Sequence, residues 1–355
     1  MKKIKEYLKR LFIDGLSGMA TGLFATLIIG TIIAQIGAYI PGKAGELITL
    51  VGKSAQLVMG AGIGAGVALK YKQSPLVTIS AAVCGMVGAY ASQIIKGTVI
   101  VEGLVNLRSP GEPLGAFIAA YVGIEIGRLV SGKTKIDIIL TPLVSIAAGS
   151  AVGLLVGPPV SHFMSWLGGI INWATEQQPF VMGIVIAVLM GMFLTLPISS
   201  AAIGVSLGLT GLAAGAATVG CCANMVGFAV ISYRENRFGG LISQGIGTSM
   251  LQMPNIVRHP VIWLPAIISS AILGPVSTML VKMTGNAVGS GMGTSGLVGP
   301  IQSFMTMTEA GEAVWLVLIK IVVMYVVLPA IISLACSETM RKLGWIKPGY
   351  LSLNV

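Results

Sequence analysis

The sequence predicts an all-α polytopic membrane protein with about ten transmembrane helices, re-entrant hairpins and internal repeats. Three observations predict it. Of 355 residues, 55% are hydrophobic and only 10% charged, where a soluble domain carries about a quarter charged. The mean hydropathy is +0.91. Apolar runs of bilayer-spanning length, roughly 20 residues, recur along the chain. The 48 glycines fit helices that pack closely in lipid, and no stacking surface for bases or a cofactor is evident, so no cofactor is expected.

Taken in order, spans are predicted at 12–37, 50–69, 74–95, 113–130, 137–157, 180–196, 199–217, 219–233, 261–281 and 313–336. The adjoining pair 199–217 and 219–233 is short and Gly/Ala-rich. Three polar-flecked stretches, about 158–178, 239–256 and 285–306, are rich in Gly, Pro, Ser and Asn. Irregular backbone at membrane depth must be buried in protein or line a wet cavity. These stretches therefore read as re-entrant hairpins or interfacial segments, with plain surface loops the alternative.

The net charge of +10 does not mark a nucleic-acid binder, because the cations sit in short clusters between apolar runs. With the N-terminus in the cytoplasm, Lys2, Lys3, Lys5, Lys9, Arg10, Lys70, Lys72, Arg128, Lys133, Lys135, Arg234, Arg237, Arg258, Arg341, Lys342 and Lys347 all fall inside. That is 16 of 22 cations, in keeping with the positive-inside rule. An even number of spans brings the C-terminus back to the cytoplasm. The basic stretch Met1 to Arg10 reads as a cytoplasmic amphipathic lead-in rather than a signal peptide. The four cysteines, Cys84, Cys221, Cys222 and Cys336, lie in apolar segments without zinc-ligand spacing and read as small buried apolar residues.

The chain repeats itself weakly, in copies placed at 14–136, 137–262 and 263–340. Asp14 recurs as Asp137, Val58-Met59-Gly60 as Val181-Met182-Gly183, and Pro142 as Pro265, all 123 positions apart. Thr175-Glu176 and Thr308-Glu309 each precede an apolar run that ends in Leu-Pro, at Leu196-Pro197 and Leu328-Pro329. Transporters place their solute sites at the interfaces of such repeats, on broken helices.

Candidate site residues follow from polarity in apolar surroundings. Glu176 offers a carboxylate to sugar or polyol hydroxyls, with Thr175, Asn172, Gln177 and Gln178 beside it and Trp173 as an apolar face. Its alternative is an exposed loop with a helix cap at Thr175. Glu309 carries the same two readings. His162 is the better histidine for solute binding or proton transfer, and His259 reads as a loop residue. Asn224 and Gln244 are amides that must find partners, as ligand contacts or as helix–helix hydrogen bonds, the second being the more ordinary use. Glu125 is an intramembrane carboxylate for which an ion pair with Arg128 suffices. No phosphate-binding glycine loop, His-Glu-x-x-His or Cys-x-x-Cys pattern is present. A membrane enzyme for lipid-linked substrates would lack its acid/base cluster.

The segments Gly115-Ala116-Phe117-Ile118-Ala119-Ala120-Tyr121-Val122-Gly123, Leu196-Pro197-Ile198-Ser199-Ser200-Ala201-Ala202-Ile203 and Asn236-Arg237-Phe238-Gly239-Gly240-Leu241 resemble the enzyme IIC-like membrane family. That family holds sugar phosphotransferase-system IIC components and the perfringolysin-regulator type proteins. The resemblance implies a permease component of the bacterial cytoplasmic (inner) membrane, a homodimer that takes a sugar or similar small polar solute and works with a separate IIB-like phosphocarrier. It also implies Thr175 and Glu176 as the sugar-binding pair, with Thr308-Glu309 second. No IIA or IIB domain accompanies the span region. A phosphotransferase-independent transporter and a membrane-embedded sensor without transport are therefore the rival expectations.

Overall fold

The structure, a computed structural model, describes residues 6–7, 10–101, 104–107 and 111–353. Lys2, Lys3, Lys5, Lys9 and Arg108, and with them most of the basic lead-in, lie outside the described residues. The chain forms two compact units, Met1–Met164 and Ser165–Asn354, and the boundary falls inside the helix Asp137–Thr175.

In the first unit Arg10–Ala38 is one apolar helix of 29 residues, widened into π turns at Arg10–Gly15 and Phe24–Ile28. Lys43–Leu57 and Met59–Lys70 run back along it as a pair bent by 53°. Glycine sets how close these helices come. A Cβ on Gly22 would lie 2.0 Å from the Gly62 carbonyl oxygen, and one on Gly52 would lie 2.3 Å from the Ala34 nitrogen. Backbone therefore packs on backbone, the contact that drives helix association where lipid removes the hydrophobic term. Pro75–Ile95 and Pro113–Val130 each open on proline, whose missing N–H costs nothing in a first turn. Ser74 caps the former by accepting from the Val77 N–H. A two-residue hairpin, Ile100–Val101 with Leu104–Val105, lies between them in the chain.

The second unit is built round Gly211–Ile231, a helix that is 94% buried over its most apolar window. Packing along it fixes the direction of every neighbour. Pro179–Thr195 runs parallel to it, with Ala187 against Gly220 and Thr195 against Asn224. Pro260–Val281 runs antiparallel to Pro179–Thr195, with Gly274 on Gly183 and Thr278 donating to the Pro179 carbonyl. Val314–Lys342 is parallel to the central helix, with Ser333 at Gly227 and Arg341 at the Ile231 carbonyl. The unit thus has a near end (Pro179, Gly211, Val281, Val314) and a far end (Ile231, Pro260, Lys342).

Three segments double back within this frame. Pro179–Thr195 stops beside Asn224, the chain turns through 196–199, and Ser200–Ser206 returns to the near end. From the same end, 283–297 descends past Gly215, Thr218 and Cys221 to Met225, and Val298–Glu309 climbs back. From the far end, 243–252 dips to Ala229 and Thr195 before Met253–Arg258 leaves it. The C-terminal 351–353 is strapped across the far end: Asn236 and Gln252 donate to the Leu351 carbonyl, Asn255 to that of Ser352, and the Leu353 N–H donates to Asn236.

Seven described helices are long and apolar enough to span a bilayer, or eight with the bent pair counted as one span, against about ten expected. Of the two spans missing from that count, one is 180–196 and the other lies in 199–233. There the Gly/Ala-rich run makes one short helix and a single long one, parted by positive φ at Gly208 and Gly211. Hydropathy does not separate a helix buried in protein from one facing lipid. Pro179–Thr195, at 17 residues, falls just short of a span. The stretch 158–175, expected as a hairpin or interfacial segment, continues the helix Asp137–Thr175 through Pro158 and Pro159. Two prolines remove two helical hydrogen bonds, but their fixed φ suits the helix, and apolar surroundings discourage the broken alternative.

Candidate functional site

Among the described residues the buried polar side chains are those of serine, threonine, asparagine and glutamine. Most lie in the second unit, where the segments that double back meet the central helix. Asn224 is the hub. Its amide donates to the Gly220 carbonyl and Ser270 hydroxyl, each at 3.2 Å, and its oxygen accepts from Trp263 Nε1 at 3.0 Å and the Thr195 hydroxyl at 3.3 Å. Both donors and both lone pairs are used. Thr195 continues the network to Ser249 at 2.8 Å. The arrangement follows from the helix break after Thr195, which leaves the end of Pro179–Thr195 beside mid-helix Asn224.

A second set lies toward the far end. Gln244 donates to Ser232 at 2.8 Å and to the Gly240 carbonyl at 2.9 Å, and its oxygen accepts from Gln252 at 2.8 Å. Asn255 donates in turn to Gln252 at 2.8 Å, and this amide ladder ends on the C-terminal strap. Gln244 and Asn224 are thus fully buried and engaged with other parts of the protein.

The remaining sequence-predicted residues lie elsewhere. Thr175 ends its helix by donating to the Asn172 carbonyl at 2.6 Å, and Glu176 beside it is exposed. Thr308 donates to the Phe304 carbonyl at 2.7 Å, and Glu309 is exposed. Both Thr-Glu pairs therefore end a helix that precedes an apolar one. His162 is exposed on Asp137–Thr175. The structure brings none of these five residues into the Asn224 network. Glu125 holds the expected pair with Arg128 at 2.5 Å and adds Arg10 at 3.1 Å. Tyr71 sits beneath the Arg10 guanidinium and donates to the Arg10 carbonyl at 2.8 Å. Burial raises its phenol well above the usual range, although the nearby Arg10 charge pulls the other way.

Some polar residues were not singled out in the sequence. Asn286 donates to Gln302 at 2.8 Å and to Thr306 at 3.4 Å, and it caps Ala287–Ser290 by accepting from the Gly289 N–H. This half-buried cluster faces the near end. Behind it Ser303 and Tyr325 share a 2.6 Å hydrogen bond. Asn286 and Gln302 carry the signal that exposed Asn224, an amide in a glycine-rich apolar run. A separate cleft of about 390 Å³ in the first unit, lined by Gly37, Gly45, Glu46, Thr49 and Lys53 among others, has both charged side chains out in solvent.

Among the described residues no cluster of His, Cys, Asp or Glu is placed to hold a metal ion. Neutral hydroxyls, amides and irregular backbone can exchange hydrogen bonds with a neutral, hydroxyl-rich solute. They offer no nucleophile–base pair for covalent chemistry.

Comparison with known proteins agrees with this picture. A family model described as "Phosphotransferase system, EIIC" matches residues 13–353. No curated protein matches the chain.

Proposed function

Because the chain belongs to the phosphotransferase system EIIC family, we propose that it is a membrane-embedded permease component that binds a sugar or similar small polar solute in its second unit and passes it across the bilayer. The observation that carries this reading is the polar, irregular backbone beside the buried middle of Gly211–Ile231, in a chain whose other helices turn large apolar side chains outward, such as Leu280 at 77% and Ile138 at 73% exposure. Irregular backbone of that kind at membrane depth marks a solute path. We read 179–209 and 283–309 as re-entrant hairpins from one side and 243–258 as a third from the other.

Cation placement supports cytoplasmic termini, and a bacterial inner membrane is part of the same proposal. In the second unit Arg234, Arg237, Arg258, Arg341, Lys342 and Lys347 gather at the far end, against Lys282 and Lys320 toward the near end, six of eight. In the first unit Arg10, Lys70, Lys72, Arg128, Lys133 and Lys135 share one end, as Tyr71 on Arg10 and Ser74 on Ser131 show. The far end is then cytoplasmic. Glu176 and Glu309 stand at the outer mouth as first contacts for solute hydroxyls, Thr175 and Thr308 shape the helix ends that present them, and Asn224 and Gln244 hold the inner framework. His162 belongs to the first unit and is left outside this second-unit site. We retain the three-copy division 14–136, 137–262 and 263–340 as part of this reading, with the two Thr-Glu pairs 133 positions apart rather than 123. A homodimer and a separate IIB-like phosphocarrier complete the system.

The test is uptake by purified protein in proteoliposomes, offered labelled hexoses, hexitols and disaccharides, with and without cytosolic phosphocarrier proteins. The reading predicts uptake of at least one class, reduced about tenfold or more by Glu176→Gln. Absence of uptake for every class under every condition rejects it.

A further inference from the structure

A ten-residue stretch of the far-end loop recurs in the near-end loop with six positions identical. Gly245-Ile246-Gly247-Thr248-Ser249-Met250-Leu251-Gln252-Met253-Pro254 and Gly291-Met292-Gly293-Thr294-Ser295-Gly296-Leu297-Val298-Gly299-Pro300 are 46 positions apart and share Gly-x-Gly-Thr-Ser-x-Leu-x-x-Pro. The two copies share the order of their elements but not their backbone, since the second has positive φ at Gly293, Gly296 and Leu297 and the first at none of the matching positions. Each makes a 3₁₀ turn starting at its serine, Ser249–Gln252 and Ser295–Leu297. Each then feeds an α-helix carrying the motif's proline in its first turn, Met253–Arg258 and Val298–Glu309.

The copies enter from opposite ends of the unit. The first hangs from helices at the far end, where Asn236, Gln252 and Asn255 hold the C-terminal strap. The second comes from the near end, where Met283 packs on Gly215. They meet beside the central helix, where the Thr294 hydroxyl donates to the Gly245 carbonyl while also lying 3.5 Å from Met225 Sδ. Their serines differ in one respect. Ser249 is hydrogen-bonded to Thr195. The Ser295 hydroxyl is fully buried and has no hydrogen-bond partner, a costly state for a polar group that a ligand hydroxyl would relieve.

We infer that these two loops are an inverted pair of gates, one serving each side of the membrane, which close on each other through Thr294 and Gly245 and hold an uncharged polyhydroxylic solute between Ser249 and Ser295. The inference rests on the permease reading and deepens it. Solute entering from the near side displaces the Thr294–Gly245 hydrogen bond, satisfies Ser295 and the freed Gly245 carbonyl, and leaves past the Ser249 loop on the far side. A neutral ligand fits because no charged side chain is among the buried polar groups of the described residues, and a buried ion without a counter-charge is strongly disfavoured. Two sides gated about one site by inverted elements is a general solution to alternating access.

Sided labelling tests it. In full-length protein with Cys84, Cys221, Cys222 and Cys336 replaced by alanine, Ser249→Cys and Ser295→Cys are each exposed to a membrane-impermeant maleimide in sealed vesicles of both orientations. Thr248→Cys and Met292→Cys serve as second reporters should either serine variant misfold, as judged by gel filtration in detergent. The gates predict labelling at 295 or 292 from the near face only, and at 249 or 248 from the far face only. Thr294→Val, which removes the closing hydrogen bond, raises both rates by roughly three- to tenfold. Labelling of both loops from one face, or of neither from either face, overturns the gates. D-glucose, D-mannitol or maltose should slow labelling of both loops, whereas sodium chloride at equal osmolality should not. Protection by sodium alone, or by none of the three sugars, overturns the uncharged ligand. Uptake in proteoliposomes together with one-faced labelling leaves the permease standing without paired gates, while opposite-faced labelling without uptake of any solute removes the permease reading instead.

Discussion

At the scale of the residue, Asn224 shows how polarity is handled in an apolar interior. Its four hydrogen bonds satisfy Trp263, Thr195 and Ser270 as well as itself. Thr195 and Ser270 keep other partners, so Asn224→Ala chiefly leaves the Trp263 indole N–H without an acceptor, at about 1–3 kcal/mol. We expect a clearly lowered midpoint of thermal unfolding in detergent, and an unchanged midpoint would show that water replaces the amide. Tyr71 gives a pH effect with a definite sign. Its phenol is held protonated by burial, so the unfolded chain loses that proton first as pH rises past about 10. The folded state then binds more protons than the unfolded one, and stability falls with pH in that range. Tyr71→Phe should flatten the loss, measured as the difference between the two proteins' unfolding curves from pH 9 upward. The sequence made Asn224 and Gln244 visible as polar groups needing partners. It did not reveal which partners, because they come from residues such as Trp263 and Gln252, brought up by chain reversals.

At the scale of the element, glycine decides where two helices may touch. A Cβ on Gly220 would sit 1.9 Å from the Ala187 carbonyl oxygen, and one on Gly22 2.0 Å from that of Gly62. Neither neighbour is a flexible side chain, so each contact must open. Gly220→Val and Gly22→Val should each destabilise by about 1–3 kcal/mol or more through overpacking. Gly169, with nothing within 4 Å of its would-be Cβ, is the control. Gly169→Ala should be neutral or stabilise by up to about 1 kcal/mol through helix propensity, and equal effects at all three positions would refute the backbone-contact account. The far-end strap is a second such case. Leu351 is fully buried and its carbonyl accepts from two amides. Ending the chain at Gly349 should lower stability and speed proteolysis at the far end, and a full-length-like digestion pattern would argue against the strap. Seven of the predicted spans (12–37, 50–69, 74–95, 113–130, 180–196, 261–281 and 313–336) coincide closely with helices or a bent helix pair. The errors fell at 158–178, where two prolines did not stop a helix, and at 199–233, where glycine placement rather than hydropathy sets the break.

At the scale of the whole molecule, both units carry most of their basic residues at one end. This asymmetry predicts that reporters fused to the C-terminus and inserted at Gly132 read as cytoplasmic, and that an insertion at Gly311 reads as external. A C-terminal fusion active only outside the cytoplasm would reverse the arrangement. Family membership and the fold agree on a membrane permease component, and the solute path is the part that the uptake and labelling experiments address.

By itself, the sequence determined the solvent this protein lives in, most of its helices and its family. Those properties follow from local composition: a run of about 20 apolar residues has few alternatives in a bilayer, and clustered cations mark loops wherever the helices go. Only the tertiary structure decided that Gly211–Ile231 is buried in protein, that Pro179–Thr195 ends beside Asn224, and that two copies of one ten-residue motif meet from opposite ends. Those facts depend on contacts between residues tens of positions apart, and hydropathy, which sums over neighbours in the chain, carries no record of them.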